Sequence, residues 1–286
     1  MNEVSNSKLP GPEQLEALVS IALEEAARLG VDQAEVAASH DIGLSTTARL
    51  GDVENLEYTN DRGIWVTVYR NARKGSASTS ETTPTAIREA VAKASSFAEY
   101  TAADEHSGLA DADLMCTAIR DLDLDHHWDI DATRAIEMAI ECEAAALGYD
   151  KRIDNSEGAT VSTNRGVRAY GNSHGFVGSF RKSSHSISCV VLGNKDGDMQ
   201  RDYYYSSARD AADLEDVRSI GETAARRTLG RLGARKIKTT KVPVLYTAEL
   251  ARGFIGHAIG AISGGAQYRR SMFLLNAAGM AGPLAT

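Results

Sequence analysis

The sequence predicts an α+β protein made of two successive helix-plus-antiparallel-sheet units. Segments with apolar residues at helical spacing carry start or stop signals at their ends. Between them lie groups of short alternating runs broken by Gly, Asn and Asp, the pattern of a meander. The order helix, strands, helix then occurs twice along the 286 residues, so a helix can cover one face of each sheet.

Residues 12–29 place Leu15, Leu18, Val19, Ala22, Ala26 and Leu29 at helical spacing, with Pro12 in the first turn and Gly30 past the end. Strand-like runs follow at 35–39, 44–50, 53–59, 64–69 and 75–80, punctuated by Gly43, Gly51-Asp52, Asn60-Asp61 and Asn71. Thr83-Pro84 opens a second helix through Ile87, Val91, Ala94 and Phe97.

Residues 101–131 turn acidic and read as a solvated connector. Within it Asp121, Asp123 and Asp125 alternate with leucines and precede His126 and His127. The calcium-loop template fails there, because His126 stands where glycine is required and Ala132 where glutamate is required.

Asp131 caps a third helix through Ile136, Ala139, Ile140, Ala144 and Leu147, closing at Gly148. Runs at 159–163, 167–170, 176–180, 186–192 and 199–206 predict a second sheet, with turns at 164–166, 172–175 and 194–197. Residues 214–232 are a fourth helix, with Arg226, Arg227 and Arg231 near the C-terminal end where they suit the dipole. A short apolar strand at 242–246 then meets Thr247, an N-cap, and a glycine-studded helix at 248–265. Gly256, Gly260 and Gly264 share one face of that helix at roughly 1 kcal/mol each relative to alanine, which predicts close packing of another backbone there.

With 43% hydrophobic and 24% charged residues, the composition is that of a soluble globular protein. A formal charge of −8 argues against a nucleic-acid backbone as partner, and the Lys and Arg between Arg226 and Lys241 read as a helix end and connector. Cys116, Cys142 and Cys189 lack paired spacing, so neither a disulfide framework nor a thiolate zinc site is predicted. Residues 1–11 have no apolar core of signal-peptide length, and residues 248–266 are interrupted by Arg252, His257 and glycines. No membrane partner and a cytoplasmic location are expected.

Gly171-Asn172-Ser173-His174-Gly175 fits G-x-S-x-G, the nucleophile elbow of hydrolases. The elbow leads into a helix, whereas residues 176–180 alternate like a strand, so a hairpin turn is the better reading and a serine hydrolase through Ser173 is disfavoured. No G-x-x-x-x-G-K-[ST] occurs. His257 has no second imidazole, carboxylate or thiol one turn away, while a zinc peptidase helix needs two imidazoles and a glutamate. Tyr203, Tyr204 and Tyr205 alternate faces in a strand, so one or two belong to the core.

Several words in order carry a further signal: Gly51-Asp52-Val53-Glu54-Asn55, Arg73-Lys74-Gly75-Ser76-Ala77-Ser78, Lys151-Arg152-Ile153, Asn155-Ser156-Glu157-Gly158, Gly171-Asn172-Ser173-His174-Gly175, Arg201-Asp202-Tyr203 and Tyr268-Arg269-Arg270-Ser271. From about Val36 to Leu275 the chain resembles the TldD/PmbA family, and within it the PmbA (TldE) branch. The resemblance implies a subunit of a cytoplasmic heterodimeric metalloprotease whose TldD-like partner carries zinc on an H-E-x-x-x-H helix. It also implies unfolded peptides as substrates, including antitoxins and peptide-antibiotic precursors. Set on residues 256–261, the motif is degenerate: Gly256 and Ala261 replace both histidines, and His257 stands at the glutamate position.

By the same resemblance no cofactor is expected on this chain, and His257, Tyr268 and Arg269 become candidates for lining a peptide cavity. Unfolded substrate would bind by adding a strand to an exposed sheet edge. The expected organisation is an N-terminal α+β domain at 1–110, an acidic connector at 111–131, a central α+β domain at 132–235, and a truncated start of a β-rich C-terminal domain at 236–286. The rival expectation is a non-enzymatic interaction protein acting on DNA gyrase or its inhibitors.

Overall fold

The structure, a computed structural model, describes residues 9–116 and 118–273. The chain divides into two compact units, residues 1–234 and 235–286. The first unit holds two runs of helix, three strands and helix. One is α1 (Pro12–Arg28), β1 (Gln33–Arg49), β2 (Asp52–Arg70), β3 (Arg73–Thr79) and α2 (Pro84–Tyr100). The other is α3 (Ala132–Leu147), β4 (Ile153–Asn172), β5 (Val177–Lys195), β6 (Asp198–Ala208) and α4 (Val217–Arg231).

The helix starts follow from local chemistry. Thr83, Asp131 and Asp216 each place a side-chain oxygen on backbone N–H groups of the first turn of α2, α3 and α4, and α1 begins with a proline. The strands are longer than the runs in the sequence. Gly43, Asn60-Asp61, residues 164–166 and residues 181–185 do not turn; β1, β2, β4 and β5 pass straight through them. Gly43 and residues 164–166 are paired on both sides, while Asn60-Asp61 and residues 181–184 continue on the pairing of one. A side chain at Gly43 would stand 2.9 Å from the Thr163 carbonyl oxygen, so this glycine marks a close approach inside a sheet and not a corner.

Both expected helix-and-strand units are present, but the second meander does not form a sheet of its own. All six strands are antiparallel neighbours in the order β3-β2-β1-β4-β5-β6, joined at the centre by β1 and β4 from Glu35 opposite Asn172 to Ala48 opposite Ala159. Pairing between the first strands of the two halves gives each an inner neighbour and leaves at the edges the short third strands and the parts of β2 and β5 they do not cover.

Side-chain alternation then decides the layers. Ala34, Val36 and Ala38 of β1 join a core with α1 and α2, through Val19, Ile87 and Val91. Leu44 and Ala48 join a second core with α3 and α4, through Ala139, Ala146, Ile220 and Ala224. These β1 residues are all even-numbered, so both helix pairs cover the same face of the sheet. Glu143 of α3 ties the halves together: its buried carboxylate accepts from the N–H groups of Leu50 (2.9 Å) and Gly51 (3.0 Å) at the tip of the β1–β2 hairpin. Leu50 has φ 52°, and the two accepted bonds offset part of that conformational cost.

Of the three consecutive tyrosines, Tyr204 packs on the second core and lies under the Arg227 guanidinium at 4.5 Å, while Tyr203 and Tyr205 stack outside. Cys142 and Cys189 are buried free thiols and Cys116 is exposed.

The second unit contains α5 (Ala248–Ile262) and α6 (Gly264–Tyr268). Two expectations are corrected here. Residues 242–246 are not a strand, since among the described residues no strand pairs with them. A Cβ built at Gly253, Gly256, Gly260 or Gly264 meets nothing within 4 Å among the described residues, so within the described second unit these glycines mark no close backbone approach.

Helix α4 offers a test with opposite signs. A methyl group at Gly221 would collide with the Cys142 carbonyl of α3, whereas one at Gly230 meets nothing within 4 Å. Gly221→Ala should therefore cost about 1–3 kcal/mol through forced separation of α3 and α4. Gly230→Ala should gain up to ~1 kcal/mol from helix propensity. Urea midpoints measure both, and equal midpoints for the two variants would contradict the packing described.

Candidate functional site

The face of the sheet opposite the helices is polar and open. Hydroxyls meet across neighbouring strands: Ser162 with Ser186 at 2.8 Å, Thr47 with Thr160 at 2.9 Å, and Thr67 with Ser76 at 3.0 Å. A sheet solvated on one side is expected to look like this. Its centre departs from the pattern, because there a cleft of about 690 Å³ collects aromatic and charged side chains. That volume lies within the usual range of small-ligand sites.

The register builds the cleft from three rows across β2, β1, β4 and β5. One row is Trp65, Ala37, Tyr170 and Gly178; the next is Gly63, Ser39, Arg168 and Phe180; the third is Asp61, Asp41, Gly166 and Lys182. Glycines leave room for their neighbours. Any side chain at Gly63 would meet the Trp65 ring at 2.7 Å, so the indole lies over that glycine. A side chain at Gly166 would strike the Asp41 carboxylate, and one at Gly178 would strike Ile119 of the connector.

In the middle of the floor Arg168 pairs with Asp41, at 2.9 Å to Oδ1 and 2.8 Å to Oδ2. Beyond Tyr170, Glu35 accepts from the hydroxyls of Tyr69 (2.9 Å) and Tyr170 (3.1 Å). Burial, then the Glu35 carboxylate, push the Tyr69 hydroxyl up to about 12, and burial likewise raises that of Tyr170. Both phenols remain hydrogen-bond donors at neutral pH, holding one wall of the cleft in place.

The acidic connector is not the freely solvated linker expected from its composition. Ile119 reaches the open face, Leu124 accepts from Ser183 N at 2.8 Å beside β5, and Trp128 meets the buried His185 edge-on at 5.5 Å on the helix side. Asp125 clasps Arg165 with two bonds, 2.9 and 2.7 Å, and that guanidinium holds its carboxyl below the usual range. The connector thus wraps the part of β5 that β6 leaves free. The corresponding part of β2, residues 52–63, pairs with β1 alone and is exposed almost throughout.

Ser173 sits in the β4–β5 hairpin turn, where its Oγ accepts from Ala34 N at 3.0 Å and its N–H donates to the Ala34 carbonyl. No helix follows it, so the turn is not a nucleophile elbow. Gly256, His257 and Ala261 lie on α5, with His257 exposed; Tyr268 ends α6, and Arg269 is its C-cap. Gly256 and Ala261 carry no donor atom. Among the described residues no three His, Cys, Asp or Glu side chains converge as metal ligands. The donor set of α5 therefore does not fit zinc, which needs three or four ligands at once. The cleft itself escaped sequence reasoning. Its residues come from four strands and a connector, and the signals that could have found it were the mid-strand glycines Gly63, Gly166 and Gly178.

Comparison with known proteins gives a consistent result. Residues 34–98 match the family described as PmbA/TldA metallopeptidase domain 1, and residues 125–232 its central domain. The chain is 44% identical over 265 residues to the metalloprotease PmbA of Escherichia coli O157:H7, covering 93% of this chain and 59% of that protein. It is 43% identical over 275 residues to the PmbA homologue of Haemophilus influenzae Rd, covering 96% of this chain and 61% of that protein. The chain thus spans about three fifths of the length of the curated relatives it matches. A crystal structure from Bacteroides thetaiotaomicron VPI-5482, named for modulation of DNA gyrase, superposes with a TM-score of 0.81 at 24% identity, over 91% of this chain and 60% of that one, which shows the shared fold. No described helix is long and apolar enough to cross a membrane.

One connector contact depends on the charge of an imidazole. The Asp123 carbonyl bonded to His126, aided by the charges of Asp123, Asp210 and Asp125 and opposed by partial burial, raises the imidazole above 6.5. This stabilisation is complete below the unfolded value of 6.5 and is lost as pH rises through the folded one. NMR titration should find His126 still protonated above 6.5, with Asp210→Asn moving its midpoint down; an unmoved midpoint would remove Asp210 from the contact.

Proposed function

The chain belongs to the PmbA/TldD metallopeptidase family, and on that premise we propose that it is the PmbA (TldE)-type subunit of a two-subunit zinc protease acting on unfolded peptides in the cytoplasm. The catalytic zinc and its glutamate belong to a TldD-like partner, and this chain supplies walls and a sheet edge to the cavity. The observation that carries the reading is the donor set of α5, in which Gly256 and Ala261 stand at both histidine positions of the family motif and His257 at the glutamate position.

Two features of the first unit support a role in holding peptides. The bare stretch of β2 at residues 52–63 offers main-chain N–H and C=O groups, which bind an extended chain with little dependence on its sequence. The cleft beside it adds aromatic surface and charge. An unfolded peptide, such as an antitoxin or an antibiotic precursor, has its main-chain groups free to pair along such an edge, whereas most of those of a folded protein are already paired. Zinc, when bound in the partner, would activate water for peptide hydrolysis. The residues of this chain would position the substrate and keep its backbone extended.

Co-expression tests the assignment. With a TldD-like subunit the chain should purify as a stoichiometric complex that cleaves an unfolded peptide such as β-casein, with zinc removable by chelator and assigned to the partner. Purified alone it should contain no stoichiometric zinc and leave the same peptide intact. Chelator-sensitive peptidase activity in the lone chain would overturn the proposal.

A further inference from the structure

The cleft on the open face carries opposite charges at its two ends. Its third row runs from Asp61 on β2 through Asp41 and Gly166 to Lys182 on β5. The central acid is already neutralised, because Arg168 grips both oxygens of Asp41. Asp61 and Lys182 both line the cleft and make no ion pair among the described residues. The β2 end therefore presents the Asp61 carboxylate, with Arg62 next to it in the lining, and the β5 end the Lys182 ammonium, while Trp65 and Phe180 add apolar surface in the neighbouring rows of the same two strands.

The spacing selects the length of an occupant. Three strand intervals separate β2 from β5, about 14 Å at the usual 4.8 Å. Side chains reaching in from each end shorten the gap between the charges to roughly 10 Å, which three or four extended residues span at ~3.3 Å each. We propose that the cleft anchors a short extended peptide segment lying across the strands, with a basic residue at Asp61, an aliphatic or aromatic side chain between Trp65 and Phe180, and an acidic residue at Lys182. The site deepens the peptide-handling reading given above and rests on it. It uses the open face beside the bare edge of β2, not the edge's main-chain groups, and adds a preference for charge pattern that strand addition alone does not supply.

Trp65 is a built-in reporter, since the chain has two tryptophans and Trp128→Phe leaves it as the only one. The probes are tetrapeptides with blocked termini: Lys-Gly-Leu-Asp, the doubly basic Lys-Gly-Leu-Lys, the doubly acidic Asp-Gly-Leu-Asp, and Lys-Gly-Gly-Asp. Lys-Gly-Leu-Asp should change Trp65 emission saturably, and calorimetry on the unsubstituted chain should give the same affinity. Each like-charged peptide should bind about fivefold more weakly, as expected for one exposed ion pair lost, and loss of the leucine should weaken binding at least as much.

Asp61→Lys should invert the preference toward the doubly acidic peptide, and Lys182→Glu toward the doubly basic one. A merely perturbed fold would weaken all four peptides alike. Affinities indifferent to peptide charge, preferences that the two variants fail to invert, or no saturable signal by both methods would each overturn the proposal. The measurement needs neither zinc nor a second subunit. A complex that forms and cleaves without this binding refutes the cleft alone, and binding by a chain that never assembles refutes the subunit assignment alone.

Discussion

The structure depends on the pairing of β1 with β4. Each half of the first unit could form a three-stranded meander with two helices, but a three-stranded sheet leaves its first strand as a bare edge. Joining β1 to β4 in antiparallel register covers both of those edges at once and places the two halves about an approximate two-fold axis normal to the sheet. The same pairing fixes which residues share a row, so the hydrophobic cores and the open-face cleft follow from one register. A slip of one residue would turn Val36, Ala38, Leu44 and Ala48 away from the helices, and burial of those side chains therefore holds the cleft in alignment.

Each half then solves its remaining edge differently. β3 and β6 pair with only the C-terminal parts of β2 and β5. In the second half the acidic connector lies beside the uncovered part of β5, held by Leu124 on Ser183, Asp125 on Arg165 and His126 between Asp123 and Asp210. In the first half residues 52–63 are left to solvent, with Asp52, Glu54, Glu57 and Asp61 guarding them. Charges along an edge deter self-association while leaving main-chain groups available. An uncovered edge beside a charged aromatic cleft is an arrangement suited to extended chains.

Much of the secondary structure was legible. Thr83-Pro84, Asp131 and Gly148 mark helix ends that the structure reproduces, since capping depends on neighbours within four residues. The hairpin at Ser173 was legible for the same reason, as strand alternation on both sides argues against an elbow. Breaks at Gly43, Asn60-Asp61 and 164–166 were misleading, because residues that often turn are tolerated inside strands whose pairing runs unbroken through them. The connector looked like solvated linker because composition carries no record of Arg165 waiting beneath Asp125. The apolar run at 242–246 looked like a strand, and a strand needs a partner that local sequence does not specify.

By itself the sequence determined what is local or ordered along the chain: where helices begin, which residues alternate, that α5 bears one imidazole and not a ligand set, and the run of words that carries the family likeness. Tertiary structure alone decided that the two meanders are one sheet, that both helix pairs lie on one face, and that Asp61, Trp65, Arg168 and Lys182 surround a common cleft. Those outcomes require strands more than a hundred residues apart to choose a register, and that choice is made by burial summed over whole faces, a quantity no single stretch of sequence contains.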